Sequence, residues 1–245
     1  MKTAKIFYAM CAMCAFSFVS CSDDDDDDSS FKLTPESVSF NQGDNQQMAA
    51  DDGRILTWSV DDEFVATIDD DGLLTGCHVG ETNIVAVDSK GGKACAKVVV
   101  EPKYNLYTEP CIQWGDTKEQ VKGLDKRELL DEDDNTILLK ADGSADYVLY
   151  TFEDGGLKAV GILIGTSYTK ASVNFLFERY EYLGYADDIY VFTDRKGLSV
   201  LVQVYSDKYI MILYCKDPSS KSMNVSNAEA FDAVLSQDVL ALLPE

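Results

Sequence analysis

A chain of 245 residues, 46% of them hydrophobic, has room for two packed domains. Its formal net charge of −22 repels phosphate backbones and anionic headgroups, which excludes nucleic acid and acidic membrane surfaces as electrostatic partners. The acidity favours solubility and carries no information about fold.

The first expected element is a targeting segment. Lys2 and Lys5 precede "IFYAMCAMCAFSFVS", an uncharged apolar run of about fifteen residues, the usual length of a signal-peptide centre. That is short of the roughly twenty apolar residues of a membrane span. Small Ser20 then stands before Cys21. This order, "FVSC", resembles a bacterial lipobox, with Phe18 where that family more often has Leu. The resemblance implies that residues 1–20 are a signal peptide and that Cys21 becomes the acylated N-terminus, holding the protein to the outer membrane by its lipid. Residues 21–30 are then a tether. Asp23, Asp24, Asp25, Asp26, Asp27 and Asp28 sit among serines, bury nothing and repel one another. Six flexible acids offer a cation no fixed geometry, so no metal is expected. Acids directly behind an acylated cysteine resemble the export signal of surface lipoproteins in some Gram-negative bacteria, which implies that the protein faces the cell exterior.

Residues 31–102 read as short strands. "SVSF" and "ILTWSV" alternate, the second with Leu56, Trp58 and Val60 on one face. Asp71-Gly72 gives a hairpin signal, and "ETNIVAVD" turns through "SKGGK" into "ACAKVVVEP". Strands at this spacing, with no helical pattern, predict an all-β sandwich. The stretch "LTWSVDDEFVATIDDDGLLTGCHVGETNIVAV" resembles the group 2 bacterial immunoglobulin-like domain. The matching positions include Trp58, Ser59, Asp61, Val65, Ala66, Thr67, Asp69, Gly72, Gly80 and Ile84. The resemblance implies a spacer or adhesion module with Trp58 in its core. "KYNLYTEP", with Pro110, reads as the interdomain link.

Residues 103–245 predict an α+β domain, an antiparallel sheet with packed helices. Asp116 and Glu119 have capping-box spacing and open a short helix with Val121 and Leu124 inward. "RELLDEDDNT" reads as a polar loop, and "ADYVLYTF" through "EDGG" to "LKAVGILI" as a hairpin. "SYTKASVNFLFERYEYL" predicts a second helix, with Val173, Leu176, Phe177, Tyr180 and Leu183 on its apolar face. Strands follow from "DIYVFT" to "YIMILYCK". Ser226 and Glu229 then open a last helix over 226–243, with Phe231, Val234, Leu235, Leu242 and Leu243 on one face. "YTFEDGGL" and "YVFTDRKGL" are alike, which suggests a duplicated α-β-β unit. Gly115, Thr117 and Val121 give a helix start weakly similar to those in β-lactamase inhibitory proteins and outer-membrane assembly lipoproteins.

No catalytic set is evident. His78 is the single histidine, and Cys77 beside it points to the opposite face of an extended chain. No G-x-S-x-G elbow, P-loop, dinucleotide fingerprint or HExxH occurs. The expectation is a protein that is not an enzyme and needs no cofactor. Cys77, Cys95, Cys111 and Cys215 read as small buried residues. The aromatic-rich last domain offers a binding face for a glycan or a protein ligand, with Tyr150, Tyr190 and Tyr205 as the candidate contacts. The alternative is an envelope assembly or inhibitor lipoprotein acting through protein contacts. A hydrolase built on an acid pair is the least favoured reading. Replacing Asp23 to Asp28 by Ser and Ala is expected to leave folding intact and to abolish labelling of the protein on intact cells; unchanged surface labelling would refute the address reading.

Overall fold

The computed structural model describes residues 31–186 and 188–216. The expected signal peptide, Cys21, the aspartate run and the helix over 226–243 lie outside the described residues. Among the described residues no helix is long and apolar enough to cross a membrane.

The N-terminal module is all β. Its strands are β1 (Leu33–Thr34), β2 (Ser37–Asn41), β3 (Asn45–Gln47), β4 (Ala49–Ala50), β5 (Leu56–Val60), β6 (Ala66–Ile68), β7 (Leu73–Gly76), β8 (Gly80–Asp88) and β9 (Lys93–Glu101). They form a four-stranded sheet β2-β9-β8-β5, a three-stranded sheet β3-β7-β6 and a ribbon β1-β4. Alternation decides the core. Ile84 and Ala86 of β8 and Ala96 and Val98 of β9 are buried against Leu33, Met48 and Leu74. Leu56, Trp58 and Val60 pack against this cluster, while Thr57 and Ser59 face solvent. The turn before β7 needs its glycine twice over. Gly72 has φ +79°, and a Cβ there would stand 2.7 Å from the Met48 carbonyl oxygen and 3.0 Å from Trp58 Nε1.

The second domain is dominated by one sheet. Its elements are α1 (Lys118–Leu124), β10 (Leu129–Glu132), β11 (Thr136–Lys140), β12 (Ala145–Glu153), β13 (Gly156–Gly165), α2 (Thr169–Phe177), β14 (Glu181–Ala186), β15 (Ile189–Thr193), β16 (Leu198–Val204) and β17 (Tyr209–Lys216). The eight strands run antiparallel in the order β10-β11-β12-β13-β17-β16-β15-β14. A short helix followed by a four-strand meander therefore occurs twice, and the last strands of the two meanders pair. Expected and observed repeats differ. The unit has four strands rather than two, and the two similar strings fall on non-equivalent hairpins, β12–β13 and β15–β16.

The packed helices expected here are not supported. The described helices are few and short, and both differ from expectation. Thr117 rather than Asp116 caps α1: Thr117 Oγ1 accepts the Gln120 N–H, and Gln120 Oε1 accepts the Thr117 N–H at 2.8 Å. α2 stops at Phe177, and its buried side chains are Ser172, Phe175 and Leu176, leaving Val173 and Phe177 exposed. The apolar spacing that ran on to Leu183 had joined a helix to a strand, since Leu183 lies in β14. "RELLDEDDNT" is no loop at its start, because Leu129–Glu132 pairs with β11. The supposed link packs inward: Leu106 and Tyr107 are buried in the core of the second domain, and the Leu106 carbonyl accepts the Ser144 N–H at 2.7 Å.

Ile162 faces Ile212 at the centre of the sheet, and both are fully buried. Ile162→Ala is expected to lower unfolding free energy by about 2–5 kcal/mol in urea titrations. Ile55→Ala, at a side chain 90% exposed, should change it by less than about 0.5 kcal/mol.

Candidate functional site

Antiparallel register assembles an aromatic ladder at one end of the sheet. Tyr182 of β14 pairs with Phe192 of β15, and Tyr185 with Tyr190. Side chains paired in register share a face. Phe177, the last residue of α2, joins them, 5.4 Å from Tyr182 and 5.3 Å from Phe192 between ring centroids. Tyr182 lies 6.5 Å from Tyr190, and Tyr185 lies 4.6 Å from it. Phe192 is buried beneath the ladder. The other four rings stay open: Phe177 is 42%, Tyr182 39%, Tyr185 53% and Tyr190 47% exposed. Four adjoining rings left in water form a contiguous apolar patch, which marks a surface for recognition. Polar groups frame it. The Tyr185 hydroxyl donates to Asp188 Oδ1 at 2.6 Å, and this bond holds its pKa above the ordinary tyrosine value. Arg195 Nε and Nη2 donate to the two Glu181 carboxylate oxygens at 2.5 and 2.7 Å.

The three tyrosines expected to bind do not come together. Tyr190 lies in the ladder. Tyr150 is a correction: it is fully buried and its hydroxyl donates to Asp125 Oδ2 at 2.6 Å, with Arg127 on the same carboxylate. Burial first, then this bond, push the Tyr150 pKa up. Its neighbours along β12 explain the error, because that strand is buried on both faces from Val148 to Phe152. Tyr205, half-buried, packs against the cluster on the other face of the sheet. Phe177, Tyr182 and Tyr185 were missed as contacts. Tyr182 and Tyr185 are three residues apart, and they share a face because the register shifts between Tyr182 and Gly184, which neither a helical period nor simple alternation reveals.

A second polar cluster lies behind the first face of the sheet. A cavity of about 490 Å³ is lined by Glu109, Cys111, Leu124, Tyr180, Leu198 and Tyr214, among others. The Tyr180 hydroxyl donates to Glu109 Oε1, the hydroxyls of Tyr107 and Tyr214 meet at 2.7 Å, and Arg179 Nε stands 3.6 Å from Glu109 Oε2. Burial among these rings raises the Glu109 pKa, against the opposing pull of Tyr180 and Arg179. Some 39% of the side chain still meets solvent through the cavity mouth, so the rise is smaller than full burial would impose. His78 is structural, stacked on Phe64 at 4.0 Å with Nδ1 2.8 Å from the Phe64 carbonyl oxygen. The reading of four buried cysteines is corrected as well. Only Cys215 is buried; Cys77 and Cys111 are half-buried and Cys95 is exposed. Among the described residues, no three His, Cys, Asp or Glu side chains converge as a metal set.

Residues 29–99 match the family model of the bacterial Ig-like domain (group 2). The N-terminal module is a group 2 bacterial Ig-like domain. No curated protein matches the chain. Among solved structures, the human Desmocollin-1 ectodomain is similar at 13% identity over 81% of this chain. The chain spans 33% of that protein's length, and at a TM-score of 0.26 the likeness carries no argument.

The Ig-like domain meets the sheet domain at the end of α2, beside the ladder. Gln42 Nε2 donates to the Phe177 carbonyl at 2.8 Å, and the Val79 N–H to the Glu178 carbonyl at 2.7 Å. The buried Glu178 carboxylate accepts the Lys103 and Tyr104 N–H groups, each at 3.0 Å, and pairs with Arg179. Such bonds satisfy carbonyls that a helix C-terminus leaves without partners.

The raised Glu109 pKa has a pH signature. The folded state holds this proton more tightly than the unfolded chain, so the associated stability is fully present below the ordinary value of 4.5 and is lost as pH rises through the folded value. Glu109→Gln keeps an acceptor for Tyr180 and is expected to remove that fall. Urea midpoints measured from pH 4 upward should decline less steeply for the variant; parallel curves would count against the assignment.

Proposed function

We propose that the protein is a non-enzymatic, lipid-anchored protein of the outer cell surface that binds a neutral glycan on the aromatic ladder of its sheet domain. The Ig-like domain serves as the spacer between anchor and ladder. The observation that carries this reading is the set of four open rings, Phe177, Tyr182, Tyr185 and Tyr190, in one patch. An exposed tyrosine ring offers an apolar plate to the C–H face of a sugar, and its hydroxyl offers a hydrogen bond at the rim.

Size favours a glycan over a protein partner. Each ring carries roughly 150–250 Å² of surface. At the exposures observed, four rings present about 350 Å² in all. A stable protein interface takes about 800 Å² from each partner. Charge narrows the ligand further. A chain of net charge −22 disfavours an acidic glycan, and Arg195 beside the ladder is already paired with Glu181. The lipid anchor and the outward location rest on the lipobox-like "FVSC" and the aspartates behind it.

The soluble chain without its first twenty residues is the form to probe on an array of neutral glycans. Tyr185→Ala and Tyr190→Ala are each expected to weaken the best ligand by about tenfold, worth 1.4 kcal/mol, with thermal unfolding unchanged. Binding that survives both substitutions, or no binding together with hydrolytic activity, would overturn the proposal.

A further inference from the structure

The cavity of about 490 Å³ beside Glu109 falls within the roughly 300–1,000 Å³ that small-molecule sites occupy. Pro110, Ile112, Leu124 and Leu198 give it an apolar lining, and Glu109 is the one carboxylate among the lining residues. Tyr180 and Tyr214 line it too, with ring centroids 6.2 Å apart and planes inclined at 67°. Their hydroxyls are already engaged, Tyr180 with Glu109 and Tyr214 with Tyr107, which leaves the rings to meet a ligand. Charge around the cavity is unbalanced, because Arg179 serves two carboxylates. Its Nη1 donates to Glu178 Oε1 and to the Phe175 carbonyl, and its Nη2 donates to the Tyr104 carbonyl at 3.0 Å. Its Nε approaches Glu109 Oε2 only to 3.6 Å, too far for a hydrogen bond. Glu178 and Glu109, both ionised, therefore exceed Arg179 by one negative charge. Burial raises the Glu109 pKa, so a proton relieves part of that excess.

We propose that this cavity binds a small organic monocation, a protonated amine with an apolar body, whose ammonium group pairs with Glu109. A single positive charge balances the set formed by Glu178, Arg179 and Glu109. Tyr180 and Tyr214 favour the same charge, because the face of an aromatic ring attracts cations. The apolar lining holds the body of the ligand away from water. An anion is disfavoured by Glu109 itself and by the net charge of −22, which draws cations toward the protein. A neutral ligand leaves the excess charge uncompensated. The site is separate from the ladder, since none of Phe177, Tyr182, Tyr185 and Tyr190 lines the cavity.

Titration calorimetry of the full chain at neutral pH, against primary monoamines graded in size from butylamine to 2-phenylethylamine, tests this. Such amines are charged there, as lysine is. Saturable binding within the series is expected, with the matching alcohol (2-phenylethanol for 2-phenylethylamine) weaker by about tenfold or more. Glu109→Gln keeps an acceptor for Tyr180 and should weaken the amine by a similar factor while retaining the near-ultraviolet circular dichroism of the native chain. Tyr185→Ala, in the ladder, should leave amine binding unchanged. Equal affinity for an amine and its alcohol would overturn the proposal. So would the lack of saturable binding across the series, or an affinity that survives Glu109→Gln. Loss of amine binding on Tyr185→Ala would place the cation on the ladder and overturn it too. Should Glu109→Gln lose its native dichroism, the comparison of amine with alcohol on the native chain decides alone.

Discussion

The pairing of β13 with β17 is the contact on which the second domain depends. Seven residue pairs, from Ala159 with Cys215 to Gly165 with Tyr209, join two meanders that would otherwise end in open edges. A small isolated meander buries too little apolar surface to persist alone, and an exposed apolar edge invites association. Joined, the two make one sheet whose central strands have neighbours on both sides. Their sequences reflect this. "GLKAVGILIG" and "YIMILYCK" carry apolar residues at successive positions instead of alternating, as strands covered on both faces do.

From that pairing the asymmetry of the first face follows. On that face α2 ends at Phe177, whose ring meets Phe192 of β15 and Tyr182 of β14, and it goes no further. Phe192 is covered, but the rings paired beyond it are not. The place where the helix stops thus creates the ladder. The same place creates the junction with the Ig-like domain, since the carbonyls of Phe177 and Glu178 are satisfied by Gln42 and Val79. Without Val79 the carbonyl of buried Glu178 would be left unsatisfied, at a cost of about 1–3 kcal/mol, whereas the Phe177 carbonyl lies at an exposed position. Ending α2 there is tolerable because the other domain supplies the donors.

How much of this could be read from the chain depended on local signal. The Ig-like module was legible because its strands alternate and its turns carry Asp-Gly and Gly-Gly, which are local features. The sheet of the second domain was half legible. Hairpins with turn residues, such as β12–β13, stood out, while β10 hid in an acidic stretch and β14 inside an extended helical period. Periodicity cannot separate a helix from a following strand when Phe177, Tyr180 and Leu183 happen to keep step with a helix. Tyr150 shows the same limit differently. A tyrosine on a two-sided strand has no sequence mark distinguishing core from surface, and only the presence of Asp125 and Arg127 to satisfy its hydroxyl decides it. Pairings made between distant segments, above all β13 with β17, left no local trace.

The ladder owes its rigidity to both domains. One end starts at Phe177, tied to Gln42. The other side is held by the β15–β16 turn, where Lys196 Nζ meets Asp62 Oδ2 at 2.7 Å and the Arg195 guanidinium lies 5.7 Å from the Phe64 ring centroid. The exposed ion pair contributes only about 0–1 kcal/mol. Its value is geometric: with the carbonyl bonds it gives the sheet edge and the Ig-like domain several separate points of contact. A ligand that stacks on open rings gains little from each contact, so the entropy of ordering its site decides whether it binds at all. Rings already fixed by register, by a buried Phe192 beneath them and by a neighbouring domain beside them carry that cost in the fold. The Ig-like domain is therefore part of what holds the ladder edge in shape.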